Sequence, residues 1–167
     1  MENLPAEKWL EEAAQAATEL AETTFQCEAG AATFQSGLPH GMEGSLLPVQ
    51  HGQESLHVGL FSTPEGCARL TAALLGMEEG EEPGEEDIPD AIGEIVNILA
   101  GIMQRSLDDS QEGPLSLGLP IFVRGDIYAP HSMDTHHAHI DLGPATAQLI
   151  IMRGELTHSR SHVSPSE

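Results

Sequence analysis

Near the start of the chain, apolar residues recur at helical spacing. Leu10, Ala13, Ala14, Ala17, Leu20 and Ala21 line one face of residues 4–25, while Glu7, Glu11, Glu12 and Glu19 are free to face water. The pattern predicts an amphipathic helix anchored by Trp9, the only tryptophan. The period is lost over residues 26–62. Gly30, Gly37, Pro39, Gly41, Gly44, Pro48 and Gly52 punctuate short runs there, which reads as strands and turns. The clearest strand is 55–61, where Leu56, Val58 and Leu60 alternate with His57, Gly59 and Phe61. Ser62 then reads as the cap of a second helix, with Glu65 reciprocating and Pro64 in the first turn. That helix carries Cys67, Leu70, Ala73 and Leu74 and is expected to stop at Gly76. A longer third helix is predicted over residues 87–108, with Asp87 as its N-cap. Beyond Pro114, strand signals return at 115–123, 135–142 and 145–152, separated by Gly125, Pro130 and Gly143-Pro144. Helix, strands, helix, long helix and three strands make an α+β fold, with helices packed on a largely antiparallel sheet. One domain over residues 1–153 is expected, followed by a flexible tail over 154–167.

Composition narrows the partners. The chain has 167 residues, 27 of them acidic and 6 basic, for a net charge of -21. Such a surface repels phosphate backbones, so nucleic acid and anionic membranes are poor partners. No stretch of about 18 apolar residues is present to span a bilayer. MENLPAEKWLEEAAQ has neither the basic start nor the apolar core of a secretory signal. Two cysteines, Cys27 and Cys67, make no disulfide framework, and Cys67 reads as a small core residue. The cytoplasm is the expected location. Residues 78–87, EEGEEPGEED, hold seven carboxylates in ten positions and read as a solvated loop.

The helix at 87–108 carries the most information. With Ile88 at the centre of its buried stripe, Ile92, Ile95, Leu99, Ile102 and Met103 fall on the same side. Glu94 and Asn97 fall opposite, three residues apart and therefore neighbours. Asp90, Gly101 and Gln104 share their face and are candidates for contacting a partner. A Glu and an Asn on a wet helix face are ordinary by themselves. Two glycines inside the helix are not, since each costs about 1 kcal/mol relative to Ala. Gly93 and Gly101 flank the pair, which points to close packing or docking beside it.

The segment DAIGEIVNILAG, residues 90–101, resembles the signature helix of the CheC/CheX/FliY phosphatase family, whose core is Glu-x-x-Asn followed by Ala-Gly. Residues 54–76 and the strand LGLPIFVRG at 117–125 resemble the same family, and CheX in particular. The resemblance spans about residues 4–152. It implies a CheC/CheX-like fold, with long helices on a largely antiparallel mixed sheet. It also implies an activity: hydrolysis of the aspartyl phosphate of a CheY-like response regulator in chemotaxis or two-component signalling. In that chemistry Asn97 holds the attacking water and Glu94 engages the regulator's active-site lysine. The Mg²⁺ is expected on the phosphorylated partner, and no cofactor or metal on this chain. Members of the family form homodimers with strand exchange, and the strands after Gly125 are candidates for an exposed edge. Two-site members carry a second Glu-x-x-Asn on the first helix; here that place offers only Glu12 and Gln15.

An amide suits the proposed task. It has a donor and an acceptor and no charge, so it orients water without repelling a phosphoryl group. Other constellations are thinner. His137 and His139 would share a face of a strand beside His136, with Asp134 and Asp141 as possible helpers, but two histidines make half a metal site. His158 and His162 fall in the expected tail. The alternative function is a non-catalytic adaptor of the same fold that binds a signalling partner.

Overall fold

The structure is a computed structural model and describes residues 3–154. Three helices and seven strands follow in the order α1 (Ala6–Thr24), β1 (Thr33–Ser36), β2 (Glu43–His51), β3 (Glu54–Ser62), α2 (Pro64–Leu74), α3 (Asp87–Asp109), β4 (Leu115–Leu117), β5 (Ile121–Val123), β6 (Met133–Asp141) and β7 (Thr146–Gly154). The α+β architecture expected from the periodicity is present, and all the strand pairings are antiparallel. The sheet runs β1-β6-β7-β3-β2-β4, with β5 also paired to β2. All three helices lie on one face. Helix α1 covers β6 and β7, whereas α3 lies over β2, β3 and the β4–β5 region, with α2 beside it.

Alternation along each strand places the core. Leu56, Val58 and Leu60 of β3 and Ala147, Leu149 and Ile151 of β7 point to the helices. They meet Trp9, Leu20, Ile92, Ile95, Leu99 and Met103, all buried. A smaller cluster on the opposite face joins Phe61, Ile150 and Met152 to Leu38, Met42 and Ile127 from the loops that cover it.

Several local expectations are corrected. The cap of α2 is Thr63, whose Oγ1 accepts from the Gly66 N–H at 3.0 Å. Ser62 instead donates to the Thr146 carbonyl, and Glu65 pairs with Arg69 at 2.7 Å. Asp87 is already helical; the preceding Glu86 is the N-cap and makes no side-chain cap bond. Helix α2 does end where expected, since Gly76 at φ +65° supplies the left-handed turn after its last residues. Glu12 does not face water. It lies under α3 at 5% exposure, because α1 packs against α3 as well as the sheet. The strands after Gly125 are not an edge: β6 sits between β1 and β7, and β7 between β6 and β3. The open edges are β1 and the β4–β5 pair. Of the expected tail, Gly154 closes β7; residues 155–167, with His158 and His162, lie outside the described residues.

Residues 115–123 form two strands, not one, and Pro48 is the reason. Its carbonyl accepts from Gly118 N at 2.8 Å, so the same residue's missing N–H also falls on the edge side of β2. Pairing resumes only on either side, Val49 to Leu117 and Leu46 to Ile121. Gly118 lies so close to the Pro48 ring that a Cβ there would sit 3.1 Å from Cγ. The interruption throws residues 118–120 off the sheet towards α3.

Candidate functional site on helix α3

Helix α3 is held by its apolar stripe and by two contacts to the β4–β5 segment. Ile92, Ile95, Val96, Leu99 and Met103 are fully enclosed, while Ile88 and Ile102 are half-buried. The centre of burial is thus turned from Ile88 towards Met103. Gly93 comes to face Pro120, with the ring carbon Cγ 3.3 Å from where a Cβ would stand. Three turns along, Gln104 is half-buried and donates from Nε2 to the Leu115 carbonyl at 2.7 Å. The rod is therefore packed on one side and pinned along its flank.

Glu94 and Asn97 project from the remaining face, and both are exposed. One helical turn separates them, which sets their side chains next to each other. Asp90 is exposed one turn before Glu94. Gly101 follows Asn97 by one turn, and a Cβ there would meet nothing within 4 Å. The five residues expected to form the site thus divide. Glu94, Asn97, Asp90 and Gly101 share an open face, and Gln104 stands at its margin with its amide engaged in the fold. The two glycines divide as well: Gly93 makes room for Pro120, whereas Gly101 leaves bare backbone beside Asn97.

The pair on the first helix is not equivalent. Glu12 accepts from Ser106 Oγ at 2.9 Å and pairs with Lys8 Nζ at 3.2 Å, which raises the Lys8 pKa. Gln15 is exposed without that carboxylate beside it at the surface. The histidines of β6 are also taken up by the fold. His136 Nε2 lies 2.7 Å from Asp134, His137 Nδ1 2.9 Å from the Gly37 carbonyl and His139 Nδ1 2.6 Å from Gln148 Nε2. Asp141 accepts from the Gly143 N–H. Among the described residues no group of three or more His, Cys, Asp or Glu side chains is placed to hold a metal ion.

Two features escaped the sequence reading. A buried polar network links the start of α1 to the far end of the sheet. His51 Nε2 donates to the Glu112 carbonyl at 2.6 Å, its ring stands edge-on to Trp9 at 5.4 Å, and Glu54 meets Arg153 at 3.3 Å. The register His51↔Glu54 across a two-residue turn was the available signal, once β2 was recognised. The other is a pair of exposed aliphatic side chains flanking Pro120: Leu119 is 82% exposed, and Ile121, 63% exposed, is paired with Leu46 on the sheet face away from the helices.

Comparison with solved structures identifies the class of fold first. A CheX chemotaxis protein from Desulfovibrio desulfuricans superposes with a TM-score of 0.70 at 15% identity, over 87% of this chain and 99% of that one. A CheC-like superfamily protein from Shewanella sp. PV-4 gives 0.67 at 18% identity, over 90% and 99%. A chain of the CheX–CheY–BeF3–Mg²⁺ complex from Borrelia burgdorferi gives 0.62 at 14% identity, over 88% and 97%. No curated protein matches the chain. The protein-family model for chemotaxis phosphatase CheX matches residues 33–142, well over half of the sequence. The chain belongs to the CheX family. No helix of the described residues is long and apolar enough to cross a membrane.

Proposed function

We propose that this protein hydrolyses the aspartyl phosphate of a CheY-like response regulator, using Glu94 and Asn97. The observation that carries the reading is their placement: a carboxylate and an amide, side by side and exposed, on a helix that is packed rigidly behind them. In the Borrelia complex a CheX protein is held with CheY, BeF3 and Mg²⁺. That partnership is the one proposed for this chain.

An acyl phosphate is already activated, so the helix has little bond-making to do. A water oxygen attacks phosphorus, the bond from phosphorus to the aspartyl oxygen breaks, and the regulator recovers a carboxylate while inorganic phosphate leaves. Asn97 holds the water in line, its side-chain carbonyl oxygen accepting a hydrogen bond from the water, whose protons leave with the inorganic phosphate. Glu94 accepts a charge-assisted hydrogen bond from the regulator's lysine and fixes the register of docking. The regulator's own Mg²⁺ neutralises the phosphoryl oxygens. Orientation of a nucleophile contributes up to about 7–11 kcal/mol in well-aligned reactions, and one amide supplies a fraction of that. No nucleophile on this chain enters the scheme. Asp90 and Gly101 form the rest of the contact, with Gln104 at its border.

The reading places the protein in the cytoplasm with its regulator. Self-association, as a homodimer, is assigned to the β1 edge. All four of its residues are exposed, Phe34 at 49%, and an open strand of this kind is normally covered.

The test is turnover. Phosphorylated receiver domains from the same genome, mixed with a tenth as much of this protein, are expected to lose phosphate faster than alone, over many equivalents. Binding without acceleration would assign the fold to an adaptor role.

A further inference from the structure

We infer that Gln104 is a positioning residue for the reaction: together with Pro120 it fixes the rotation of α3 about its own axis, and so the direction in which Asn97 presents its amide. The inference rests on the phosphatase reading and adds a residue to that same site. Burial of Ile92, Ile95, Leu99 and Met103 holds α3 onto the sheet, but that force is non-directional. Two contacts along one flank are directional. Gln104 Nε2 donates to the Leu115 carbonyl at 2.7 Å, the only side-chain hydrogen bond from α3 to a strand among the described residues; Arg105 and Ser106 reach α1 instead, at Glu19 and Glu12. Pro120 fills the gap left by Gly93, its Cγ 3.3 Å from where a Cβ would stand.

The two anchors straddle Asn97. Gly93 lies four residues before it and Gln104 seven after. At about 100° per residue, both fall within about 40° of Asn97 around the helix, and on the same side of it. The helix between them is about 16 Å long. The chain from Leu115, which opens β4, to Pro120 covers about the same length when extended. It runs antiparallel to α3 as a splint fastened at both ends, with Asn97 between the fastenings. Side-chain ends stand about 5–6 Å from a helix axis, so a turn of about 10° carries an amide about 1 Å sideways. A misplacement of that size costs about a hundredfold in rate where a reactant has to be held in line.

Gln104→Met removes the donor and keeps the length of the side chain, while Gln104→Lys keeps a donor. Release of phosphate from a phosphorylated receiver domain is followed against receiver concentration, and urea denaturation checks that each variant is folded. For Gln104→Met, kcat is expected to fall at least about tenfold with KM within about twofold of wild type. The side-chain amide signals of Asn97 in a nitrogen-15 NMR spectrum are expected to shift in the same variant. Gln104→Lys restores most of the lost kcat. A rise in KM at unchanged kcat overturns the inference, since Gln104 would then be touching the partner. Unchanged kcat and KM in a folded Gln104→Met also overturn it, and leave the phosphatase reading standing. Should Gln104→Met not fold, Pro120→Ala frees the other anchor and is held to the same fall in kcat at constant KM. A wild type that accelerates no receiver removes the phosphatase reading and this role of Gln104 with it.

Discussion

At the scale of single residues, Glu94 and Asn97 were legible because an exposed helix face follows from period alone. Opposite a stripe of Ile92, Ile95 and Leu99 there is only solvent. The same logic misplaced Glu12, which the pattern of α1 sends to water. Its burial depends on α3 crossing behind it and on Ser106, ninety-four residues away, which no local period encodes. Cys67 was read correctly as a core residue, and its surroundings have a chemical consequence. Burial, reinforced by the Glu43 carboxylate, pushes its thiol up to about 12 from its ordinary value of 9.0. The thiolate is the reactive form, so Cys67 is expected to resist a disulfide reagent at pH 8 in the native protein and to react on unfolding. The sign for stability follows from linkage. The native state holds the thiol proton more tightly than the unfolded chain, so this contribution is intact below about pH 9 and is lost as pH rises towards 12. Labelling of native Cys67 as fast as of the denatured chain would contradict the packing described.

At the scale of elements, the helices were legible and the edge of the sheet was not. Strong 3.6-residue periods give α1, α2 and α3 to within a residue or two, and the left-handed turn at Gly76 ends α2 where its glycine indicates. Strand β2 was obscured by Gly44 and Pro48, which read locally as turns. Tertiary pairing overrides them, and Pro48 then splits its neighbour into β4 and β5. The two glycines of α3 show how one residue type serves two ends. A Cβ at Gly101 meets nothing within 4 Å, so Gly101→Ala is expected to raise unfolding stability by roughly 0.5–1 kcal/mol, the helix-propensity difference. Gly93→Ala gains less, because Pro120 Cγ at 3.3 Å has to give way. Urea denaturation of both variants measures the difference. Equal gains would contradict the seating of Pro120 on α3. If bare backbone at Gly101 serves docking, Gly101→Ala trades that stability for a higher KM.

At the scale of the molecule, charge and topology divide the surface. Helices occupy one face of the sheet, loops cover part of the other, and β1 and the β4–β5 pair are left as edges. The sequence order of strands suggested late strands at the margin, but β7 runs beside β3 and so lies inside the sheet. Registers of this kind link residues about ninety positions apart and are invisible to a scan for period. What the sequence did carry at this scale is the net charge of -21, which disfavours nucleic acid and favours a partner with basic side chains.

The central claim is that an amide on α3 positions water in another protein's phosphorylation pocket. Its most direct measurement is the decay of a phosphorylated receiver domain in the presence of Asn97→Ala. Asn97 is exposed, so the variant is expected to fold as the wild type does. The account predicts decay at the receiver's own unassisted rate, with binding of the BeF3-activated receiver retained. Decay as fast as with the wild-type protein would contradict it.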